Sequence, residues 1–227
     1  MNISVIIPAY NEAELIRQTV SAILERADGA LAEIIVADGG STDKTTEYAR
    51  AMGAKVLTSP KGRAVQMNAG AREASGDILY FLHADSIPPE KFDRTITEAV
   101  SEGDVAGCFR LSFDSHHPLL RFYAWFTRFD VNAFRFGDQS LFIKRKVFEE
   151  AGGFREDHIV MEDNEMVRRV RRRYRFRILP ESVTTSARKY RETGICKLQL
   201  VFTLIFLGYH TGMPQATLLS WYKKFIR

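Results

Sequence analysis

Four short apolar runs, at residues 3–8, 33–38, 55–58 and 78–82, alternate with helical stretches through the first third of the chain. Residues 3–8 read Ile-Ser-Val-Ile-Ile-Pro and residues 33–38 read Glu-Ile-Ile-Val-Ala-Asp. Runs this rich in β-branched residues mark strands buried on both faces, as in parallel sheets. A helix is expected between the first two runs, capped by Asn11 and reaching about Arg26, with Glu14 at its third position able to close a capping box. A second helix follows the Gly39-Gly40-Ser41 turn through about Met52. A third occupies residues 63–74, where Val65, Asn68, Ala69 and Arg72 keep helical spacing. This order predicts an α/β fold, a Rossmann-like, mostly parallel mixed sheet flanked by helices.

Ligands of such sheets sit beyond the carboxyl ends of the strands. Those ends carry Pro8-Ala9-Tyr10-Asn11-Glu12, Asp38-Gly39-Gly40-Ser41 and His83-Ala84-Asp85, so polar groups from three segments converge on one edge. The second half is less regular. Strands are expected at residues 105–113, 140–144 and 175–179, an aromatic-rich helix at 118–134 and a very basic helix at 162–173. Two C-terminal helices are expected at 195–209 and 215–225. The expected organisation is one domain over residues 1–190, with halves 1–104 and 105–190, and a helical tail over 191–227.

The bulk numbers exclude little. A formal charge of +4 on 227 residues suits an anionic substrate or a membrane surface and identifies neither. Two cysteines, Cys108 and Cys196, make no disulfide framework or metal-binding spacing, which points to a reducing, cytoplasmic setting. The N-terminus reads as a strand and not as a signal peptide. The apolar run at residues 198–209 is shorter than the roughly 20 residues of a membrane span. A buried, interfacial or subunit-contact helix is expected there, which would allow a homodimer or peripheral contact with the inner face of a membrane.

Each constellation has a chemical reading and a plainer one. Asp38 at a strand tip can accept a base-edge N–H of uracil or guanine, and Gly39 and Gly40 permit close backbone approach. Ser41 or Thr42 can equally cap the next helix, with Asp43 favouring its dipole. Asp85 offers a hard oxygen to the cation that a nucleoside diphosphate requires, and His83 lies on the same side of an extended segment. A nitrogen ligand would favour Mn²⁺ over Mg²⁺. Against this, Asp85 and Ser86 can form an ordinary turn, and His83 can be held by a structural hydrogen bond. Lys61 and Arg63 stand at the mouth of a helix, where cations and free amides meet phosphate, and Gly70 lets that helix pack closely on the sheet.

Glu162 and Asp163 open the basic helix, either as a charge complement to its dipole or as a general base. Seven arginines fall between residues 168 and 177. Val167, Val170 and Tyr174 share one face that packs inward, which leaves the arginines as an exposed stripe for solvent, lipid head groups or phosphate. No nucleic-acid-binding module accompanies the stripe, so nucleic acid is not expected as a partner. The aromatics Phe122, Tyr123, Trp125, Phe126, Phe129, Phe134 and Phe136 read mainly as core.

Taken in order, these segments resemble the family-two glycosyltransferases, which have the A-type glycosyltransferase fold. The resemblance runs through Val5-Ile6-Ile7-Pro8-Ala9-Tyr10-Asn11-Glu12 and Ile35-Val36-Ala37-Asp38-Gly39-Gly40-Ser41-Thr42-Asp43. It continues through Lys61-Gly62-Arg63, Asn68-Ala69-Gly70, Gly76-Asp77, Gly137-Asp138-Gln139 and Glu162-Asp163. Gly62-Arg63-Ala64-Val65-Gln66-Met67-Asn68 and His83-Ala84-Asp85-Ser86 look like a small bacterial subgroup. The resemblance implies a glycosyltransferase catalytic domain over residues 1–190. Pro8, Ala9, Tyr10, Glu12, Asp38, Gly40, Ser41, Lys61, Arg63 and Ala84 would surround a nucleoside-diphosphate sugar, with a UDP-sugar favoured. Asp85, with His83, would hold Mn²⁺ or Mg²⁺. Asp163, seconded by Glu162, would be the base of an inverting transfer to an acceptor hydroxyl. Gly137, Asp138, Gln139 and Arg188 would face the acceptor, a small molecule or a lipid-linked one.

The chain departs from the family in two places. His83-Ala84-Asp85 stands where an Asp-x-Asp is usual, and Ala37-Asp38 replaces a pair of aspartates. A nucleotidyltransferase, and a nucleotide-sugar- or membrane-binding protein without catalysis, are the alternative readings.

Overall fold

A computed structural model describes residues 1–131 and 137–226. An eight-stranded mixed sheet runs through the molecule, in the order β3-β2-β1-β4-β7-β6-β8-β5. Its first half is parallel: β1 (Ile3–Ala9) lies between β2 (Leu31–Asp38) and β4 (Ile78–Phe81), and β3 (Lys55–Thr58) borders β2. β7 (Leu141–Lys144) joins β4 antiparallel, with Phe81 opposite Leu141. It carries the sheet on to β6 (Ala106–Phe113) and the parallel β8 (Phe176–Thr185). A two-residue strand β5 (Ser86–Ile87) pairs antiparallel with the end of β8. The sheet therefore continues through both halves of the chain.

Both faces of the sheet are buried. Ile3, Val5 and Ile7 project to one side, among residues of α1 (Ala13–Arg26) and α4 (Phe92–Ser101). Ile6, Ile35 and Leu79 project to the other, among residues of α3 (Arg63–Glu73) and α7 (Glu162–Arg171). Alternation along β1 divides its side chains between two cores, which is why its sequence is apolar but for Ser4, whose hydroxyl donates to Glu33. α2 (Thr45–Ala51) precedes β3, and α6 (Arg145–Glu150) follows β7. α8 (Arg188–Thr193), α9 (Ile195–His210) and α10 (Gln215–Phe225) close the chain. Leu198, Val201, Ile205 and Ile226 form a small third core against Val160, Met161 and Tyr190.

Gly70 performs the packing role expected of it: a Cβ there would lie 2.5 Å from Ile6 Cγ2. Cys108 and Cys196 are both free thiols. Other expectations need correction. Asn11 does not cap α1, and no capping box forms, because its backbone turns left-handed (φ 54°) and Glu12 takes the cap position without a side-chain bond. The next loop supplies the missing acceptors. Ser41 Oγ accepts from the Asn11 amide, Thr45 Oγ1 from that of Glu12 and Asp43 Oδ2 from that of Ala13. Ser41 thus caps nothing in its own helix.

The aromatic helix α5 (Pro118–Phe126) ends eight residues before the expected Phe134. Its aromatics are not core: Phe122, Trp125 and Phe129 are exposed. Phe134 and Phe136, also read as core, lie outside the described residues. α4, α6, α8 and β5 were not anticipated. The spacing of Phe92, Ile96, Ala99 and Val100 carried the signal for α4, but the helix opens at a left-handed Lys91 with no capping side chain.

Candidate active site

From β1 the chain runs outward to β3, then returns to the opposite side of β1 as β4. Such a switch point opens a crevice at the carboxyl ends of the strands. The loops that follow β1, β2 and β4 all meet there.

At the end of β2 the Asp38 side chain is only 3% exposed. Its Oδ2 accepts from the amides of Gly40 and Ser41, each at 3.0 Å, whereas its Oδ1 is buried without a partner. A buried carboxylate oxygen left unpaired is costly. A nucleobase N–H arriving from the crevice would satisfy it. Gln66, buried on α3, ties this edge together: Nε2 donates to Ala9 O and Ala37 O, both at 2.8 Å, and Oε1 accepts from the Gly62 amide. It appeared in the sequence only as one letter of a resembling stretch. Lys61 Nζ sits 3.3 Å from the centroid of the Tyr10 ring, a cation–π contact that brings two candidate nucleotide residues together.

After β4 the chain makes a tight turn in which the Ser86 amide donates to His83 O at 3.1 Å. His83 and Asp85 therefore do not share one side of an extended segment. His83 turns inward, and its Nδ1 donates to Asp138 Oδ1 at 2.9 Å. Burial and the neighbouring Arg63 guanidinium oppose protonation of His83, but the bond to Asp138 and its charge outweigh them and raise the imidazole pKa. Burial works against ionisation of Asp138 too, yet His83 holds its carboxyl well below the usual range. Asp85 stays half-buried, takes one long hydrogen bond from Ser86 Oγ at 3.4 Å, and is pinned through its backbone by the Ser186 amide.

The third group comes from α7. Met161, left-handed at φ 64°, turns the chain so that Glu162 and Asp163 enter the crevice from the opposite side. Glu162 is 2% exposed and its Oε1 lies 3.0 Å from Arg63 Nη1. Asp163 Oδ2 is 4.0 Å from the same nitrogen and stays 16% exposed. Its carboxyl is pushed up to about 7, first by burial and next by the adjacent Glu162 charge, with His83 and Arg63 resisting. The two carboxylates have thus separated their roles. Glu162 holds Arg63, and Asp163 keeps an accessible carboxyl that titrates near neutrality.

Arg188 and Glu12, placed on opposite sides of the site by the sequence reading, are partners. Arg188 Nη2 lies 3.0 and 3.2 Å from the two Glu12 oxygens across 176 positions of sequence. Burial of Glu12 outweighs that pairing, so its carboxyl is raised. The Gly137-Asp138-Gln139 triplet, one turn of 3-10 helix, also divides. Asp138 faces His83, while the buried Gln139 Nε2 donates to Phe109 O and Thr127 O. Most of the arginine stripe is engaged within the protein. Arg169 meets Glu165, Arg171 meets Asp130, and Arg175 and Arg177 share Asp104. Val167 and Val170 are buried as expected.

Among the described residues, no three His, Cys, Asp or Glu side chains form a cluster able to hold a metal ion. The open lone pairs of Asp85 suit a different arrangement. A hard cation with one carboxylate ligand can draw its remaining ligands from water and substrate phosphates.

Comparison with known proteins agrees with this geometry. The family model described as glycosyl transferase family 2 matches residues 4–169. A dolichol-phosphate mannosyltransferase of Pyrococcus furiosus is 38% identical over 114 residues, covering 47% of this chain and 32% of the relative. An undecaprenyl-phosphate 4-deoxy-4-formamido-L-arabinose transferase of Pseudomonas aeruginosa is 35% identical over 121 residues, covering 48% of this chain and 35% of the relative. Both matches span about a third of the relative's own length. A mannosyltransferase from Pyrobaculum calidifontis, solved with GDP-Man and Mn²⁺, superposes with a TM-score of 0.70 at 20% identity, over 90% of this chain and 62% of the other. Glucosyl-3-phosphoglycerate synthase from Mycobacterium tuberculosis, solved with Mn²⁺, UDP and phosphoglyceric acid, superposes with a TM-score of 0.60 at 21% identity, over 94% and 79%. The fold is theirs.

Proposed function

This chain belongs to glycosyl transferase family 2, and on that footing we propose that it moves a sugar from a nucleoside-diphosphate sugar to an acceptor hydroxyl, inverting the anomeric carbon. The observation that carries the reading is Asp163, a partly exposed carboxyl titrating at about 7 beside Arg63, whose helix α3 also carries Gln66 at the edge where Asp38 Oδ1 is unpaired. A general base works best when its pKa lies near the working pH.

In this reading Asp38 Oδ1 receives the base N–H, with uracil favoured, and the backbone around Ala9, Tyr10, Gly40 and Ser41 lines the nucleoside. Lys61 and Arg63 face the diphosphate. Asp85 would hold a divalent cation, which when bound neutralises diphosphate charge. His83 stays with Asp138 and closes the same wall. Asp163 takes the proton from the acceptor hydroxyl, whose oxygen bonds to the anomeric carbon. The bond from that carbon to the diphosphate breaks, and the electron pair leaves with the nucleoside diphosphate. Attack from the side opposite the leaving group inverts the centre.

The relatives' printed names include phosphate acceptors carried on lipids. A phosphate is already anionic and needs no base, so Asp163 favours a hydroxyl acceptor, on a small molecule or a lipid-linked sugar. A thermal-shift panel of nucleotide sugars with and without Mn²⁺, followed by product analysis, tests the reading. Stabilisation by one nucleoside diphosphate and its sugar, with release of that diphosphate on turnover, is expected. Pyrophosphate release, or binding without consumption under every acceptor tried, would replace it with a nucleotidyltransferase or a binding protein.

A further inference from the structure

Ten of the fourteen exposed large hydrophobic residues among the described residues lie in two short stretches, residues 119–131 and 200–225. On α5, Phe122 and Trp125 share an exposed face that Phe129 extends just beyond the helix, with Trp125 and Phe129 ring centroids 4.9 Å apart. On α9, Leu200, Leu204 and Leu207 recur at i, i+4 and i+7 as an outward stripe, while Leu198, Val201 and Ile205 face the core. The buried face accounts for the fold of α9, and the outward leucines add nothing to it. The two helices approach one another beside these stripes: Tyr123 of α5, Tyr190 of α8 and Gln199 and Phe202 of α9 line a common pocket that reaches Asp138.

Charge distinguishes these stretches from the rest of the surface. Residues 115–129 contain Arg121 and Arg128 and no acid, and the flanking Asp114 and Asp130 are each paired with an arginine, Arg191 and Arg171. Residues 193–227 contain Lys197, Lys223, Lys224 and Arg227 and again no acid, although the whole chain carries 28 acidic residues. Aromatic and leucine side chains among which cations outnumber acids match the interface of an anionic bilayer, where the rings enter the head-group layer and the cations meet lipid phosphates. A second copy of this chain would bring like charge against like charge across the same contact. No helix among the described residues is long and apolar enough to cross a membrane, so the contact lies along the surface.

We propose that the exposed faces of α5 and α9 together form a docking surface for an anionic lipid bilayer, with the pocket between them opening toward the lipid. The surface stands on exposure and charge alone and does not depend on the identity of donor or acceptor. Docking in this orientation brings the Asp138 side of the crevice next to the membrane.

The test is co-sedimentation of the full chain with vesicles of phosphatidylcholine alone and of phosphatidylcholine mixed with phosphatidylglycerol. Binding is expected to the mixed vesicles, with loss as salt screens the cations. Leu204→Glu with Leu207→Glu, and separately Phe122→Ser with Trp125→Ser, should each weaken it about ten-fold or more. These positions are exposed, so both variants should unfold at the wild-type temperature and keep its nucleotide-induced stabilisation, which separates lost docking from lost folding or donor binding. Leu24→Glu, at an exposed apolar residue of α1, should bind vesicles as the wild type does. Equal binding by wild type and both double variants would overturn the proposal. So would equal affinity for uncharged and anionic vesicles. So would a dimer, seen by light scattering, that the same substitutions dissolve while vesicles remain unbound.

Discussion

Asp163 gains its weak acidity from position. Burial and Glu162 both oppose its negative charge, and Arg63, already held by Glu162, offers only part of the compensation. A base with its pKa near 7 is half protonated at neutrality, so the rate should climb as pH rises through about 7 and level off above it. A kcat–pH profile checks the rise, and Asp163→Asn should lower turnover about 10²–10⁴-fold while leaving nucleotide binding intact. Retention of full activity in that variant would remove the base assignment. Gln66 invites a different experiment. Replacing it with Leu strips the side-chain donor from two buried carbonyls at the ends of β1 and β2. That change should cost about 1–3 kcal/mol in urea unfolding and raise KM for the donor more than it lowers kcat. The sequence named Asp38, Asp85 and Asp163 because each follows a readable strand or opens a readable helix. It did not reveal Gln66, Arg63–Glu162 or Glu12–Arg188. Those contacts bridge 29 to 176 positions, and no local pattern records which distant partner a side chain will meet.

The helix α3 lies against β1 at a distance set by one residue. Gly70→Ala would place a methyl 2.5 Å from Ile6 Cγ2, on a fully buried β-branched side chain that cannot swing aside. Overpacking of this kind typically costs about 1–3 kcal/mol, read as a lower melting temperature. Because α3 also carries Arg63 and Gln66, donor affinity should fall with it. The close approach was legible, since glycine inside a helical pattern signals packing. The parallel strands were legible as well, because burial on both faces leaves them no polar alternation to confuse. The longer helices other than α4 were legible in their periodic interiors and not at their ends. α1 takes its caps from a loop 30 to 33 positions away in sequence, as Ser41, Asp43 and Thr45 replace the expected Asn11. The aromatic helix misled for a related reason: α5 has a core-like composition, yet the sheet offers it a partner only at Leu120 and a few neighbours.

The molecule as a whole is one sheet whose proposed donor side comes first in the chain and whose proposed base comes later, on α7. Ligand binding should therefore stabilise it globally. A nucleotide at 100 times its Kd adds about 2.7 kcal/mol to unfolding. Chelation of divalent cations should erase most of that gain while leaving the ligand-free melting temperature unchanged, because no cluster of three candidate ligands contributes to folding among the described residues. Arg188→Ala should narrow the same gain by freeing Glu12. The fastening of β5 sets an order of assembly as well. Asp85 is held in place by the Ser186 amide, and Ser86 pairs with Thr185. On a ribosome, the four parallel strands can emerge and pack, and Thr19 can hold Ala84, while the Asp85 end of the turn still lacks its partner strand. The Asp85 end is fastened after residue 186 leaves the exit tunnel, so a nascent chain has the crevice at the strand ends well before Asp85 is fixed in it.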